Sequence, residues 1–369
     1  MMRNKSTIVA AIAISMTILL ASVQGSGLAQ AIMGDANINS YGTITYPAPS
    51  TSKLMGVSHY LWGEVNASHF DLLSNCRSNV WREAFWFDSW NESTPYWRDP
   101  TITFRSKMLQ MREWSHERGI KFFISPDTIN YEDEDNSAQA KGDVIMNTSG
   151  KGDLWISCYG QVIRELQPDI IDVMNEPPHV SFTSYADTVT QEQFFQNYLN
   201  FVNKAVAAWT AIKPDIIFDV MGCPFWDLNP MMVKPINSSN VIYSLHYYYC
   251  LENIAPSSYD TAANRAYWAG TNLTQAKLLL ENYLLNGAGI KSVLDKGYRV
   301  DMTEAGSCPE ARNSFVFMQD MYDLCKKHGV GVLHFSLNPY PTASTGILNA
   351  DWNTLNAMGQ LWARNMAAG

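Results

Sequence analysis

Two short apolar runs in this chain end in a glutamate. One is Asp169-Ile170-Ile171-Asp172-Val173-Met174-Asn175-Glu176-Pro177-Pro178; the other is Tyr298-Arg299-Val300-Asp301-Met302-Thr303-Glu304-Ala305-Gly306. Isoleucine and valine favour a pleated strand. The two prolines after Glu176 stop a ladder or a helix from running on. Each run therefore predicts a buried strand with a carboxylate at its C-terminal mouth, where α/β folds place their chemistry. Two carboxyls about 5 Å apart can share out a glycosidic cleavage, one attacking the anomeric carbon and the other protonating the leaving oxygen. Glu176 and Glu304 are the catalytic candidates.

Positioning two strand-end glutamates requires a sheet whose strands all point one way. The chain offers eight strand patterns alternating with helices. The strands are predicted at 54–59, 79–86, 120–125, 169–176, 215–221, 240–248, 298–304 and 331–337. The main helices are predicted at 103–118, 153–166, 191–211, 274–294, 314–328 and 354–365, with a shorter one after the first strand capped by Asn66 or Ser68. A single (β/α)₈ barrel with loop insertions accounts for the count and for the length. A doubly wound open sheet is disfavoured, because no Gly-rich phosphate turn follows any strand.

The predicted strand ends carry His59 with Tyr60 and Trp62, Arg82, Asp127, Asn175 with Glu176, Phe225 with Trp226, His246 with Tyr248, Glu304, and Phe335 after His334. Asn175-Glu176-Pro177, His246-x-Tyr248, Thr303-Glu304-x-Gly306 and Arg82 within Asn79-Val80-Trp81-Arg82 fall on strands four, six, seven and two. In that order they resemble glycoside hydrolase family 5, the cellulase family of clan A. The resemblance spans about residues 54–340. It departs from the family on strand three, where Asp127 follows Pro126 in place of a histidine, and on strand eight, where Phe335 stands in place of a tryptophan. The chain is thus identified as a divergent member.

The resemblance implies a retaining, endo-acting hydrolase of a β-1,4-linked polysaccharide such as cellulose, β-glucan or mannan. It implies Glu176 as acid/base, Glu304 as nucleophile, and Arg82, Asn175, His246 and Tyr248 as their partners and sugar contacts. Electrostatics gives the same division of labour: Arg82 beside Glu304 would keep it a carboxylate, and that charge would keep Glu176 protonated. His59, Trp62, Trp86, Trp226 and Phe335 are further substrate-contact candidates, since a sugar's apolar face packs on an aromatic ring. Trp90 and Trp97 also follow a strand and could stack on sugar. Two other readings remain: a barrel that binds carbohydrate without cutting it, and an exo-acting β-glycosidase of another clan A family. A site built on His59, His246 and His334 could hold zinc, but the three lack close spacing. No cofactor and no metal are expected.

The chain has 369 residues and a formal net charge of −9, with 12 Trp and 18 Tyr. An acidic chain without basic runs is a poor nucleic-acid or anionic-lipid binder. Arg3 and Lys5, an apolar run from Thr7 to Ala21 and Ala29-Gln30-Ala31 form a signal-peptide pattern. Residues 1–31 are therefore expected to be a cleaved leader and 32–369 a secreted, monomeric catalytic domain with no membrane insertion. Six cysteines permit disulfides, and Cys223, Cys250 and Cys308 each follow a strand; a bridge among them and buried thiols are both open. The acidic run 132–135 reads as a solvated loop.

Overall fold

A computed structural model describes residues 53–368, apart from 61–64, 91–92, 97–98, 131–136, 178–184, 186–187, 224–226, 250–260 and 340–344. The leader, Trp62, Trp97, Trp226, Cys250 and the acidic run 132–135 lie outside the described residues.

Eight parallel strands close into a barrel: β1 (Met55–Tyr60), β2 (Val80–Phe85), β3 (Lys121–Pro126), β4 (Ile170–Asp172), β5 (Ile217–Met221), β6 (Val241–Tyr249), β7 (Arg299–Ser307) and β8 (Gly331–Phe335). They are neighbours in chain order, and β8 returns to pair with β1. The fold is a (β/α)₈ barrel. Around it run α1 (Ala67–Asn75), α2 (Phe104–Glu117), α3 (Ser137–Ile145), α4 (Lys151–Leu166), α5 (Gln191–Ile212), α6 (Ala262–Ala269), α7 (Leu273–Asn282), α8 (Ile290–Asp295), α9 (Ser314–His328) and α10 (Ala357–Ala367). A small antiparallel ribbon, Pro95–Tyr96 with Asp99–Thr103, sits between β2 and α2.

Local chemistry explains the helix ends. Asn66 caps α1 by accepting from the Ser68 amide, while its own amide donates to His69. Thr190 and Gln193 make the same reciprocal box on α5. The helix predicted over 274–294 is broken: a π-helical turn at Tyr283–Gly287 divides α7 from α8, and Gly289 with positive φ starts the latter. The α3 and α6 helices and the ribbon were not legible as periodic patterns.

Side chains alternate in and out along each strand. Leu54, Val80, Phe123, Ile170, Ile217, Ile242 and Leu333 fill the barrel's lower interior as a small apolar cluster. A much larger cluster, including Val57, Trp81, Ile171, Phe218, Tyr243 and Val332, packs the outer strand faces against the helices. Further along, the same inward faces turn polar, with Arg82, Ser125, Asp172, Asp219 and Ser244 two residues beyond the apolar layer and Ser58 four, all buried. Among the described residues no helix is long and apolar enough to cross a membrane.

Candidate active site

Arg82 is the centre of the polar layer. Its five N–H groups all find acceptors: Nε on Asp172 Oδ2 (3.0 Å), Nη1 on Ser58 Oγ (2.8 Å) and Glu304 Oε1 (2.6 Å), Nη2 on Ser125 Oγ (2.7 Å) and Asn175 Oδ1 (2.8 Å). The guanidinium is fully buried, which by itself disfavours its charge; the carboxylates of Asp172 and Glu304 outweigh that cost and raise its pKa above the ordinary value. Arg82 thus ties β1, β2, β3, β4 and β7 together through one planar fork.

Glu304 reaches this fork through an irregularity. Val332 pairs with Met302 but His334 pairs with Ala305, and Leu245 pairs with Met302 but His246 with Glu304. β7 therefore carries one extra residue, a bulge that re-aims Glu304 into the barrel mouth. Gly306 follows because a β-carbon there would lie 2.8 Å from the Phe335 carbonyl oxygen. Glu304 accepts from Arg82 on Oε1 and from the Tyr248 hydroxyl on Oε2.

The strand predicted to end in Glu176 stops at Asp172, and Val173–Glu176 bend over the rim. Asn175 anchors there: its amide donates to the Pro126 carbonyl (2.7 Å), its Oδ1 accepts from Arg82, and its Nδ2 donates to Asp127 Oδ1 (3.3 Å). Lys141 of α3 holds the same Asp127 oxygen at 2.5 Å. Glu176 has a φ of 44°, in the left-handed region that non-glycine residues avoid. Its side chain is 37% exposed, against 7% for Glu304. His246 Nδ1 stands between them, 2.9 Å from Glu176 Oε1 and 3.4 Å from Glu304 Oε2. Carboxyl oxygens of Glu176 and Glu304 and a ring nitrogen of His246 lie within 4.8 Å of one another.

The structure thus gathers Arg82, Asn175, Glu176, His246, Tyr248 and Glu304, and sets Phe335 edge-on to Tyr248 with ring centroids 6.0 Å apart. It does not bring His59 there. His59 shares the outward parity of Val57, hydrogen-bonds Glu83 and packs beside Trp81, under the helices. His334 is likewise outward: Tyr322 donates to its Nδ1 (2.9 Å) and its Nε2 donates to the Thr345 carbonyl (3.0 Å). His59, His246 and His334 therefore do not converge. Trp86 and Trp90 are buried at 5% and 2% exposure, and Trp90 Nε1 donates to Glu165, so neither offers an open ring face. Sequence reading missed Asp172, Asp219, Ser58, Ser125 and Lys141. The signal for the first four was a polar residue at alternate positions of an otherwise apolar strand.

Neither a protein-family model nor a curated protein sequence matches the chain. Solved structures do. A hyperthermostable endocellulase superposes with a TM-score of 0.62 at 17% identity, covering 85% of this chain and 92% of that one. An endocellulase from Pyrococcus horikoshii, in a structure with cellotetraose, gives 0.62 at 16% identity over 85% and 92%. A β-glucanase from Saccharophagus degradans gives 0.59 at 15% identity over 86% and 88%. At these identities the likeness establishes the shared barrel.

Proposed function

We propose that the chain is a secreted, retaining β-glycoside hydrolase of the family 5 type, cutting β-1,4-linked glucan or mannan within the polymer. One observation carries the reading: carboxyl oxygens of Glu176 and Glu304 come within 4.8 Å at the C-terminal rim of the barrel. That separation is nearer the about 5 Å that suits direct attack by one carboxylate than the about 6.5–9.5 Å of an inverting pair.

The roles follow from the surroundings. Glu304, held by Arg82 and Tyr248, attacks the anomeric carbon. The bond to the leaving oxygen breaks as Glu176, the more exposed of the two, delivers its proton to that oxygen. A glycosyl ester on Glu304 results, and the Glu304 charge is gone. Glu176, now a carboxylate, takes a proton from water; the water's oxygen forms the new bond to the anomeric carbon and Glu304 leaves as carboxylate. Asn175, its Oδ1 fixed by Arg82 and one amide hydrogen by Asp127, keeps an amide hydrogen for the sugar 2-hydroxyl. The endocellulase and β-glucanase names of the similar structures guide the choice of substrate.

The test is to incubate the purified protein with β-glucans, mannans and xylans, size the products, and follow the first-formed anomer by NMR. Oligomers of several lengths with the β-anomer appearing first are expected. The α-anomer first would remove the retaining mechanism, monosaccharide alone the endo action, and no turnover on any glycan the hydrolase reading.

A further inference from the structure

Asp172 of β4 and Asp219 of β5 are register partners on neighbouring strands, and both are 1% exposed. Asp172 gives Oδ2 to the Arg82 fork, and Asp219 accepts from Ser244 Oγ on Oδ2 at 2.6 Å. What remains is Oδ1 of each, buried, with no other donor in reach among the described residues. Two carboxylate oxygens cannot satisfy one another; one carboxyl with a proton can. Charge leads to the same result. The layer holds one cation, Arg82, against three acids, Asp172, Asp219 and Glu304. Fully ionised it would bury two uncompensated negative charges, which costs several kcal/mol per ion.

We propose that Asp219 is a neutral carboxylic acid that donates its proton to Asp172, and that it is a positioning residue for Arg82 and, through it, for Glu304. Ser244 from β6 binds the other Asp219 oxygen, so the proton has one direction to point. Tyr198 of α5 is a phenol that feels the charge of the pair from outside the barrel, and its hydroxyl is committed to the Met221 carbonyl (2.9 Å). Arg82 is the cation facing the pair and binds Asp172 directly. Burial, then the charge of Asp172 and the hydrogen bond to it, raise the pKa of Asp219 well above the carboxylate range. With its Oδ1 satisfied, Asp172 can present Oδ2 to Nε of Arg82, and the fork then aims Nη1 at Glu304. The consequence for catalysis rests on the hydrolase reading; the protonation state does not.

Two measurements separate these. Infrared spectra of Glu176→Gln protein at about pH 8, well above ordinary carboxylate titration, should contain the carbonyl stretch of a protonated carboxyl that disappears in Glu176→Gln/Asp219→Asn. Using the Glu176→Gln background removes the catalytic acid's own signal. An unchanged carboxyl band overturns the proposal, whether or not the protein hydrolyses any glycan. The second measurement is kcat per active site, titrated by the burst of aryl alcohol from an activated aryl glycoside. Asp219→Asn keeps a donor for Asp172 and an acceptor for Ser244, and should stay within about twofold of wild type; Asp219→Leu keeps neither, and should lose about tenfold or more in kcat at unchanged KM. If Asp219→Asn loses as much as Asp219→Leu, Asp219 acts as an anion and the proposal is wrong. Should the leucine variant not fold, the asparagine variant and the infrared band still decide.

Discussion

Arg82 donates from Nη1 to Oε1 of Glu304 across 2.6 Å, with both side chains almost sealed from solvent. The same fork makes four further bonds, so the position of Glu304 is set by a group held from every side. Arg82→Lys keeps the charge but offers three donors for five acceptors. It should lower kcat by about a hundredfold, the scale for losing one preorganised charge contact. Arg82→Met leaves Asp172 and Glu304 buried beside a missing partner and should cost about 3–5 kcal/mol of stability. Kinetics and denaturant unfolding read the two effects separately. Wild-type kcat in Arg82→Lys would show that Glu304 is placed by something else.

The two glutamates should fail differently. Glu304→Ala removes the nucleophile and should abolish the covalent ester on every substrate. Glu176→Ala leaves the nucleophile, so an aryl glycoside whose leaving group needs no proton should still react. The next step lacks its base. A burst of aryl alcohol equal to enzyme, then slow turnover that azide accelerates with retained configuration, is expected. Trapping the sugar on any residue but Glu304, or wild-type turnover of polysaccharide by Glu176→Ala, would exclude these roles.

How far the site was legible depended on which chemistry each residue announces. Glu176 and Glu304 stood out because strand-like apolar runs ended in them, and Arg82, Asn175, His246 and Tyr248 because they sat at the same ends. The barrel itself followed from eight alternating patterns. His59 was misjudged by one step of parity: it lies at the right height on β1 but faces the helices, with Val57, instead of the mouth, with Ser58. Trp86 and Trp90 carry the composition of a sugar platform, yet loop packing buries both, and composition is blind to that. The bulge that turns Glu304 inward depends on pairing with β6 and β8, which no single strand reveals. Lys141 belongs to a helix too weakly periodic to predict, and its link to Asp127 is a tertiary contact.

Phe335 is an aromatic residue at the mouth with part of its surface open, and it meets Tyr248 edge-on. Phe335→Ala should weaken substrate binding by about 1 kcal/mol, roughly fivefold in KM, with little change in melting temperature. Trp90→Phe is the contrasting control. It loses the buried-edge hydrogen bond to Glu165 and should cost about 1 kcal/mol of stability while sparing KM. The assignment of Phe335 to the sugar floor fails if KM is untouched in Phe335→Ala.

His334 sets a pH dependence of stability away from the catalytic groups. It is fully buried between Tyr322 and the Thr345 carbonyl, and burial pushes its pKa down from 6.5 to about 4, the carbonyl contact offsetting part of the shift. In the unfolded chain the imidazole takes up its proton near 6.5, whereas the folded protein resists until about 4. Between those values the unfolded state binds more protons, so stability must fall as the pH falls. The contribution is intact above about 6.5, is lost through the window down to about 4 and changes no further below it. The whole window is worth about 3 kcal/mol at most. His334→Gln can still donate to Thr345 but cannot take up a proton. It should start less stable at neutral pH, because Tyr322 loses its acceptor, and should show a shallower loss of stability on acidification. Denaturant melts at intervals from neutral pH down to about 4 would measure this. Parallel curves for the two proteins would mean that other groups carry the acid sensitivity and that His334 takes up its proton at the same pH in the folded and unfolded states.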